Sequence, residues 1–382
     1  MKKIIIHLCL AVGLGTAFTG CSDFLDSDYL FDKKISIEKV FADKNYTNEW
    51  LAYAYEFLNN NEMQQVCSKK TIAFNFADDM YYGDSDYSGW RCGTYTETGN
   101  KINLNIWENA YKAIRQVSIF LNNVDMNKEL SEADIIDMKG QAHFLRAYFY
   151  WILVRTFGPV PIVPDETLDY TKEYDEISLL RNSYDECVDY IVGECVKAAT
   201  MLQDRRDLQE IVRPTRGAAL ALRSRVLLYA ASPLHNVSGV TWREAADAAY
   251  DMIEYADNGD FYRLYEDPTT PEKSYTRLFN TRANGEVIMG FLRAPANDLY
   301  GMMPAFDPWN VNKELLTCPN QWLVDCYDML DGSQPILGYE SNTKAIINPN
   351  SGYNVNSPYA NRDPRLAQSI LCDGATWPLV NG

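Results

Sequence analysis

The sequence predicts a mostly α-helical protein of stacked helical hairpins, interrupted by long irregular loops and containing little β-structure. The first observation is an apolar helix over residues 140–155, where apolar side chains recur at helical spacing until a Gly-Pro pair ends the pattern. The second is the phrase Gly-x-Ala-x-x-Leu-Arg, which starts at Gly140 and again at Gly217. The third is the composition of segments 71–101 and 285–321, in which Gly and Asp are mixed with aromatic residues. A helix that recurs in this way is typical of stacked helical repeats.

The helix over residues 140–155 is expected to be buried on nearly every side. Apolar residues at three- and four-residue spacing form one continuous face, and other apolar side chains cover most of the remaining surface. Only a narrow polar stripe is left, consisting of Lys139, His143, Arg146 and Tyr150. The small residues at the start of both copies of the phrase allow a neighbouring helix to approach closely.

Further helices are expected over residues 35–60, 104–124, 183–202 and 241–256, and a short strand over residues 286–292. Helix 104–124 is the expected partner of helix 140–155, and helix 183–202 is the expected partner of the helix that contains Gly217. Helix 241–256 begins a third pair whose second helix does not follow, and the chain after Gly332 has a coil-like pattern. We therefore expect a chain truncated at its C-terminus, in which helix 241–256 leaves apolar surface in water.

One segment resembles the signature of a known family. Residues 140–150, Gly-Gln-Ala-His-Phe-Leu-Arg-Ala-Tyr-Phe-Tyr, and residues 154–163, Val-Arg-Thr-Phe-Gly-Pro-Val-Pro-Ile-Val, are similar to the SusD/RagB family of outer-membrane nutrient-binding lipoproteins of Bacteroidota. Residues 321–332 and 361–366 also resemble segments of that family. The resemblance implies a tetratricopeptide-like helical scaffold that captures nutrients, mostly glycans, for an outer-membrane transporter.

The N-terminus predicts a lipoprotein. Lys2 and Lys3 precede an apolar run, and small residues then lead to Cys21, which is the pattern of a signal peptide over residues 1–20. Cleavage before Cys21 leaves its thiol to carry the lipid, and residues 21–382 then form one SusD-like domain. Ordinary secretion, with Cys21 as a bystander, is the alternative. A lipid without a second long apolar run predicts a protein anchored to the outer membrane, and the resemblance implies that it faces the cell exterior.

Composition and motifs exclude several classes of protein. The chain has 52 acidic against 35 basic residues, a net charge of −17, which argues against a nucleic acid partner. It contains no Gly-x-Ser-x-Gly, HExxH or P-loop motif, and His143 is expected to be a hydrogen-bonded core residue. The segment from Asp84 opens like a calcium loop but has Tyr95 where the bidentate Glu should stand. We therefore expect no catalytic residue, no metal and no cofactor. The cysteines lack CxxC spacing and are expected to be mostly small buried residues.

The candidate binding residues lie in the two irregular segments, because long loops within a compact domain are usually functional or disordered. A sugar ring offers an apolar C–H face and a rim of hydroxyl groups, so its site needs a flat aromatic ring beside amide, carboxylate or guanidinium groups. Trp90 and Trp309 are expected to form one glycan platform, although packing of each ring against its own loop is the alternative. Trp107, Trp151 and Trp322 lie in helical patterns and are assigned to the core. The ligand-binding candidates are Asp79, Trp90, Arg91, Tyr95, Tyr300, Trp309 and Asn310.

These observations predict a non-enzymatic, cell-surface lipoprotein that captures an oligosaccharide or polysaccharide. The resemblance implies delivery of that glycan to a SusC-like TonB-dependent transporter as its partner. Two alternatives stay open on the sequence alone: a helical-repeat adaptor that binds only proteins, and a lipoprotein that captures peptides instead of glycans.

Overall fold

The computed structural model describes residues 36–59, 80–82, 92–94, 96, 106–165, 173, 178–207, 210–235, 239–281, 284–290, 317–341 and 344–375. The fold is mostly helical and tetratricopeptide-like, as the sequence predicts. The helices are α1 (Ile37–Ala42), α2 (Lys44–Glu56), α3 (Trp107–Asn123), α4 (Glu132–Phe157), α5 (Tyr184–Met201), α6 (Arg216–Ala230), α7 (Trp242–Gly259), α8 (Ser274–Leu278), α9 (Gln321–Asp325) and α10 (Pro364–Ser369). The strands are β1 (Met80–Tyr82), β2 (Thr317–Pro319), β3 (Ile336–Ser341) and β4 (Lys344–Ile347). Within the described residues, no helix has an apolar stretch long enough to cross a bilayer.

The five long helices from α3 to α7 form a continuous stack, in which each helix packs against the next one in the chain. The expected pairs α3–α4 and α5–α6 are confirmed, and α4 also packs extensively on α5. Helix α4 begins earlier than the sequence pattern indicates. Its start is fixed by a capping box, in which the Ser131 hydroxyl accepts the N–H of Asp134 and the Asp134 carboxylate accepts the N–H of Ser131.

The single helix expected over residues 35–60 is wrong, because the chain forms two helices there. Asp43 has an extended backbone, and its carboxylate accepts the N–H groups of Asn45 and Tyr46 at 2.7 and 3.0 Å. An aspartate that caps a helix start in this way ends α1 and begins α2. The bend lets Phe41 pack into the core against Phe120 of α3.

Helix α4 is the centre of the core, and its predicted burial on nearly every side is confirmed. Trp151 is 2% exposed, and Trp107 packs half-buried against the same core. Arg146 and Tyr150 of the polar stripe are buried as well, Lys139 and His143 are half-buried, and each of the four has a polar partner. His143 and Arg146 both contact the carboxylate of Glu194 on α5 at 2.8 Å. The expectation that His143 is a satisfied core histidine is therefore confirmed.

The two glycines of the repeated phrase are sites of close approach, as expected. A Cβ atom on Gly140 would lie 3.0 Å from Leu202, at the end of α5. A Cβ atom on Gly217 would lie 2.4 Å from the ring of Tyr262, which follows α7. In both copies of the phrase, the absence of a side chain on the glycine therefore lets the chain at the end of the next helix approach closely.

Helix α7 buries only Ala245 and Ala248, both against α6. Its opposite face exposes Trp242, Tyr250 and Ile253, which is the exposure expected for a helix without a second partner. The expected truncation of the chain is not tested by this observation and stays a prediction.

The coil expected after Gly332 is wrong. Strands β3 and β4 form an antiparallel hairpin, with Tyr339 opposite Ala345, and α10 follows further on. The register shifts twice along the hairpin, so its sequence shows no regular alternation that would have predicted strands. A small second core of Val324, Leu366 and Ile370 joins α9 to α10.

The strand expected over residues 286–292 is also wrong for its described part, residues 286–290. This segment makes isolated backbone bonds instead of a ladder: the N–H of Arg263 donates to Gly285 at 3.0 Å, and the N–H of Gly290 donates to Ile211 at 3.1 Å. Ile288 and Met289 pack against the main core. Their apolar character therefore reflects packing on helices, not pairing within a sheet.

Candidate functional site

The seven ligand-binding candidates lie outside the described residues, as do Cys21 and the calcium-like segment that starts at Asp84. These residues are Asp79, Trp90, Arg91, Tyr95, Tyr300, Trp309 and Asn310. What the structure describes is the backbone at the bases of the two segments that contain them. Strand β1 directly follows Asp79, and β2 lies on the C-terminal side of Trp309.

Strands β1 and β2 pair with each other in antiparallel orientation, with Tyr81 opposite Cys318. This pairing joins two segments that are far apart in sequence and brings one end of each aromatic loop to the same place. Such a ladder was not predicted, because each strand has only three residues and no alternating pattern.

An open cleft of about 540 Å³ is lined by residues that start at Asn320, which directly follows β2 in the chain. Its main aromatic residue is Trp322 of α9, which is 53% exposed and stacks on Tyr339 of β3. The ring centroids are 4.9 Å apart and the planes differ by 20°. The assignment of Trp322 to the core is therefore wrong. A helix of five residues buries only Val324, so most of its side chains face the solvent.

A hydrogen-bond network fixes this aromatic stack. The Tyr339 hydroxyl donates to one carboxylate oxygen of Asp325, and the Gln321 amide donates to the other at 2.8 Å. Burial and the hydrogen bond to Asp325 raise the pKa of Tyr339 to about 12, so its hydroxyl stays a donor at neutral pH. The cleft therefore presents a flat ring beside a carboxylate and an amide.

Tyr353 and the apolar side chains of Ile336, Ile347 and Val355 also line the cleft. Its volume lies within the range of about 300–1,000 Å³ that small-molecule sites span.

Arg362 contacts both Tyr353, which lines the cleft, and the C-terminal end of α9. Its guanidinium lies 5.5 Å from the centre of the Tyr353 ring and donates to the carbonyl oxygens of Val324 and Tyr327 at 2.7 and 2.6 Å. It also donates to Pro358 at 2.8 Å. A buried arginine thus connects the end of α9 to the wall of the cleft. This residue belongs to segment 361–366, whose resemblance to the family gave no indication of its role.

A second cavity, of about 260 Å³, lies at the end of α5 and contains three arginines. All three already have partners, Arg213 with its Nε 3.9 Å from a carboxylate oxygen of Glu210. Arg206 donates to both oxygens of Asp137 at 2.8 and 3.0 Å, and Arg205 donates to the carbonyls of Gly259 and Asp260. This cavity is therefore a less suitable ligand site than the Trp322 cleft.

Possible metal ligands and cysteines were located in the described part of the chain. There, no group of three His, Cys, Asp or Glu side chains is placed to hold a metal ion. Cys187 and Cys195 are buried free thiols, as expected, whereas Cys92 and Cys326 are exposed, contrary to the general expectation.

Four residues of the cleft region were not predicted as functional from the sequence: Trp322, Tyr339, Tyr353 and Arg362. A usable signal existed for Trp322, since Asn320 and Gln321 precede it directly after the aromatic loop. No local signal identifies the other three, because they reach the cleft through contacts between distant segments.

Comparisons with known proteins agree with this fold. A family model described as "Starch-binding associating with outer membrane" matches residues 23–228, and a model described as "SusD family" matches residues 273–380. SusD-like protein P25 of Formosa agariphila is 22% identical over 235 residues, which cover 59% of this chain and 42% of that protein.

Solved structures show the same architecture. A SusD-like protein from Bacteroides fragilis superposes with a TM-score of 0.65 at 20% identity, covering 86% of this chain and 60% of that one. Surface glycan-binding protein A from Bacteroides uniformis gives a TM-score of 0.56 at 14% identity, covering 81% and 67%. The chain thus spans less than two thirds of the length of P25 and of the Bacteroides fragilis protein. Since the first family model alone matches more than half of its residues, the chain belongs to the SusD family.

Proposed function

We propose that this protein captures a glycan at the cell surface and that the Trp322 cleft is part of its binding site. The observation that supports this most is the exposed Trp322–Tyr339 stack, which lies in an open cleft next to the β1–β2 pair.

The chemistry of the cleft suits a sugar. The face of Trp322 that Tyr339 does not cover offers a flat apolar surface for the C–H face of a pyranose ring. Gln321 and Asp325 lie beside it and offer amide and carboxylate groups to hydroxyls. An aromatic contact of this kind contributes roughly 0.5–1.5 kcal/mol beyond its buried area. Binding in the micromolar-to-millimolar range is therefore expected, with several contacts needed for one oligosaccharide.

We further propose that Trp90 and Trp309 extend this site, together with Asp79, Arg91, Tyr95, Tyr300 and Asn310. The pairing of β1 with β2 supports this, because each tryptophan is eight residues from one of the two paired strands in sequence. Loops that start from one rigid ladder are well placed to form a single surface.

We propose that the protein is a lipoprotein anchored to the outer membrane through Cys21. In this role the protein faces the cell exterior and delivers the glycan to a SusC-like TonB-dependent transporter. The signal pattern of residues 1–20 supports the anchor, and the description of the matching family model supports the outer membrane. The glycan-binding protein of Bacteroides uniformis with the same fold supports capture of a glycan rather than catalysis.

The test compares the glycan affinity of alanine variants at two tryptophans of similar exposure. Trp322 is 53% exposed in the cleft, and Trp242 is 57% exposed on α7, outside the cleft. The protein is first screened on an array of plant, algal and host oligosaccharides, and its strongest ligand is then titrated by calorimetry. Trp322→Ala should weaken that binding about five- to tenfold, whereas Trp242→Ala should leave it unchanged. Both variants should stay folded, with at most a small fall in melting temperature, because each ring is more than half exposed.

Two results would contradict the proposal: no glycan bound at millimolar concentration, or equal binding by wild type and Trp322→Ala. The adaptor alternative has one supporting observation, which is the exposed apolar face of α7 formed by Trp242, Tyr250 and Ile253. It predicts the reverse pattern, in which Trp242→Ala abolishes binding to a protein partner and no glycan binds. Titration with peptides in place of glycans tests the remaining alternative.

A further inference from the structure

We propose that the sugar unit stacked on Trp322 is preferentially uncharged, and that Asp325 beside this ring is the residue that sets the preference at this position; the proposed extension of the site that includes Arg91 is a separate position. The inference rests on the proposed glycan-binding function of the cleft and adds the chemical class of the ligand.

The described side chains of the cleft provide one charge. Ten residues line it, and Asp325 is the single charged residue among these ten. The others are aromatic, aliphatic or amide side chains. A uronic acid or a sulfated sugar needs arginine or lysine to compensate its charge, and the described lining offers neither.

The basic residues near the cleft are already engaged. Lys344, next to the lining residue Ala345, pairs with Glu340, and Arg365 pairs with Asp363. Arg362 lies closest, under the ring of Tyr353, but it is only 6% exposed and donates to three backbone carbonyls. It is therefore buried beside the Tyr353 ring and is not accessible for a direct ion pair with a ligand.

Asp325 is held close to where a sugar would stack. It lies three residues after Trp322 in α9, a spacing that brings side chains to the same face of a helix, about 5–6 Å apart. The Tyr339 hydroxyl and the Gln321 amide hold the two carboxylate oxygens. An anionic group on a sugar at Trp322 would thus lie within one Debye length of this carboxylate, which is about 8 Å at physiological ionic strength.

The repulsion has a measurable size. For two like charges about 7 Å apart, Coulomb's law with an effective dielectric constant between about 35 and the value of water, about 80, predicts roughly three- to tenfold weaker binding. Added salt should reduce the difference, because the groups are accessible to solvent.

The experiment uses one oligosaccharide in two forms: the strongest neutral ligand from the array, and the same molecule oxidised at its primary alcohols to uronates. Wild-type protein should bind the neutral form about three- to tenfold more tightly, and the ratio should fall toward one at high salt. In Asp325→Asn, which keeps the shape of the side chain, the ratio of the two affinities should also fall toward one at low salt. Asp373→Asn removes an equal charge from an exposed residue outside the lining, and it should keep the wild-type ratio.

Two results would overturn the inference: equal or tighter binding of the oxidised form by the wild type, or an unchanged ratio in Asp325→Asn. Failure of the wild type to bind the neutral form at all would instead overturn the proposed function. The two failures are therefore distinguishable.

Discussion

The substitution Glu194→Gln should destabilise the helical stack more than any exposed charge substitution. Glu194 is 1% exposed on α5. Its carboxylate accepts from Nε of Arg146 at 2.8 Å and from Nζ of Lys197 at 2.9 Å, and it lies 2.8 Å from Nδ1 of His143. Neutralising the carboxylate removes the buried ionic partner of Arg146, which keeps its contacts to Ser118, to the exposed Asp165 and to the ring of Tyr190.

The magnitude follows from the carboxylate's own titration. Burial raises the pKa of Glu194, but the hydrogen bonds from His143 and Arg146 and the charge of Arg146 outweigh it and lower the pKa to about 2. A carboxyl group whose pKa falls from 4.5 to about 2 on folding contributes about 3 kcal/mol at neutral pH. Because the folded-state pKa is the lower one, this stability is present above pH 4.5 and is lost as the pH falls toward 2. Breaking a buried ion pair by removal of one partner typically costs about 3–5 kcal/mol, which agrees with this estimate.

The assay is urea denaturation followed by circular dichroism at pH 7 and at steps down to pH 3. Glu194→Gln should lower the free energy of unfolding by about 3–5 kcal/mol at pH 7 and should lack part of the acid-dependent loss that the wild type shows. The matched control is Glu108→Gln, which removes an exposed helical glutamate 2.6 Å from Lys112 and should change the free energy of unfolding much less, because a solvent-exposed ion pair contributes little.

A second substitution should partly restore the stability that Glu194→Gln removes. Addition of Arg146→Met to Glu194→Gln removes the cation that has lost its buried partner and should recover part of the lost stability, since apolar replacement of a buried pair is often tolerated. Equal destabilisation by Glu194→Gln and Glu108→Gln, or further loss in the double variant, would refute the electrostatic account.

Three further predictions concern packing, the cleft and the anchor. Gly217→Ala should destabilise the protein by about 1–3 kcal/mol in thermal melts, because its Cβ would lie 2.4 Å from the Tyr262 ring. Gly193→Ala, in α5 with open space around it, should instead stabilise the protein by about 0.5–1 kcal/mol. A change of the same sign in both variants would contradict the close approach at Gly217. Arg362→Lys removes the planar guanidinium that donates to the carbonyls at the end of α9. Backbone hydrogen exchange in residues 321–330 should therefore accelerate, and glycan binding should weaken. Unchanged exchange would show that Arg362 does not position the cleft. Cys21→Ala should move the protein from the membrane fraction to the soluble fraction, and membrane association that persists would indicate anchoring by the transporter instead.

Much of the helical scaffold could be predicted because helical periodicity is a local property of the chain. The apolar pattern of residues 140–155 is enough to place α4 in the core, and the repeated glycines are enough to predict a close approach. The burial of His143 and Arg146 also follows from their position in a narrow polar stripe on an apolar helix. The structure added the identity of their partner, Glu194, which lies on another helix.

The binding cleft could not be predicted in the same way. Trp322 occupies a position that looks apolar and helical, but α9 is too short to bury it, and its exposure depends on which distant segments cover it. Tyr339 stacks on Trp322 from a hairpin whose register shifts hide its pattern, and Arg362 reaches α9 from a separate segment. Sequence spacing does not encode such contacts.

The sequence by itself therefore determined the helical class of this protein, its family, and the choice of α4 as the centre of the core. Only the tertiary structure decided which tryptophan faces solvent beside a carboxylate and which loop bases meet at the β1–β2 pair. The physical reason is that secondary structure is set by neighbours three or four residues away, whereas exposure and stacking are set by residues that only folding brings together.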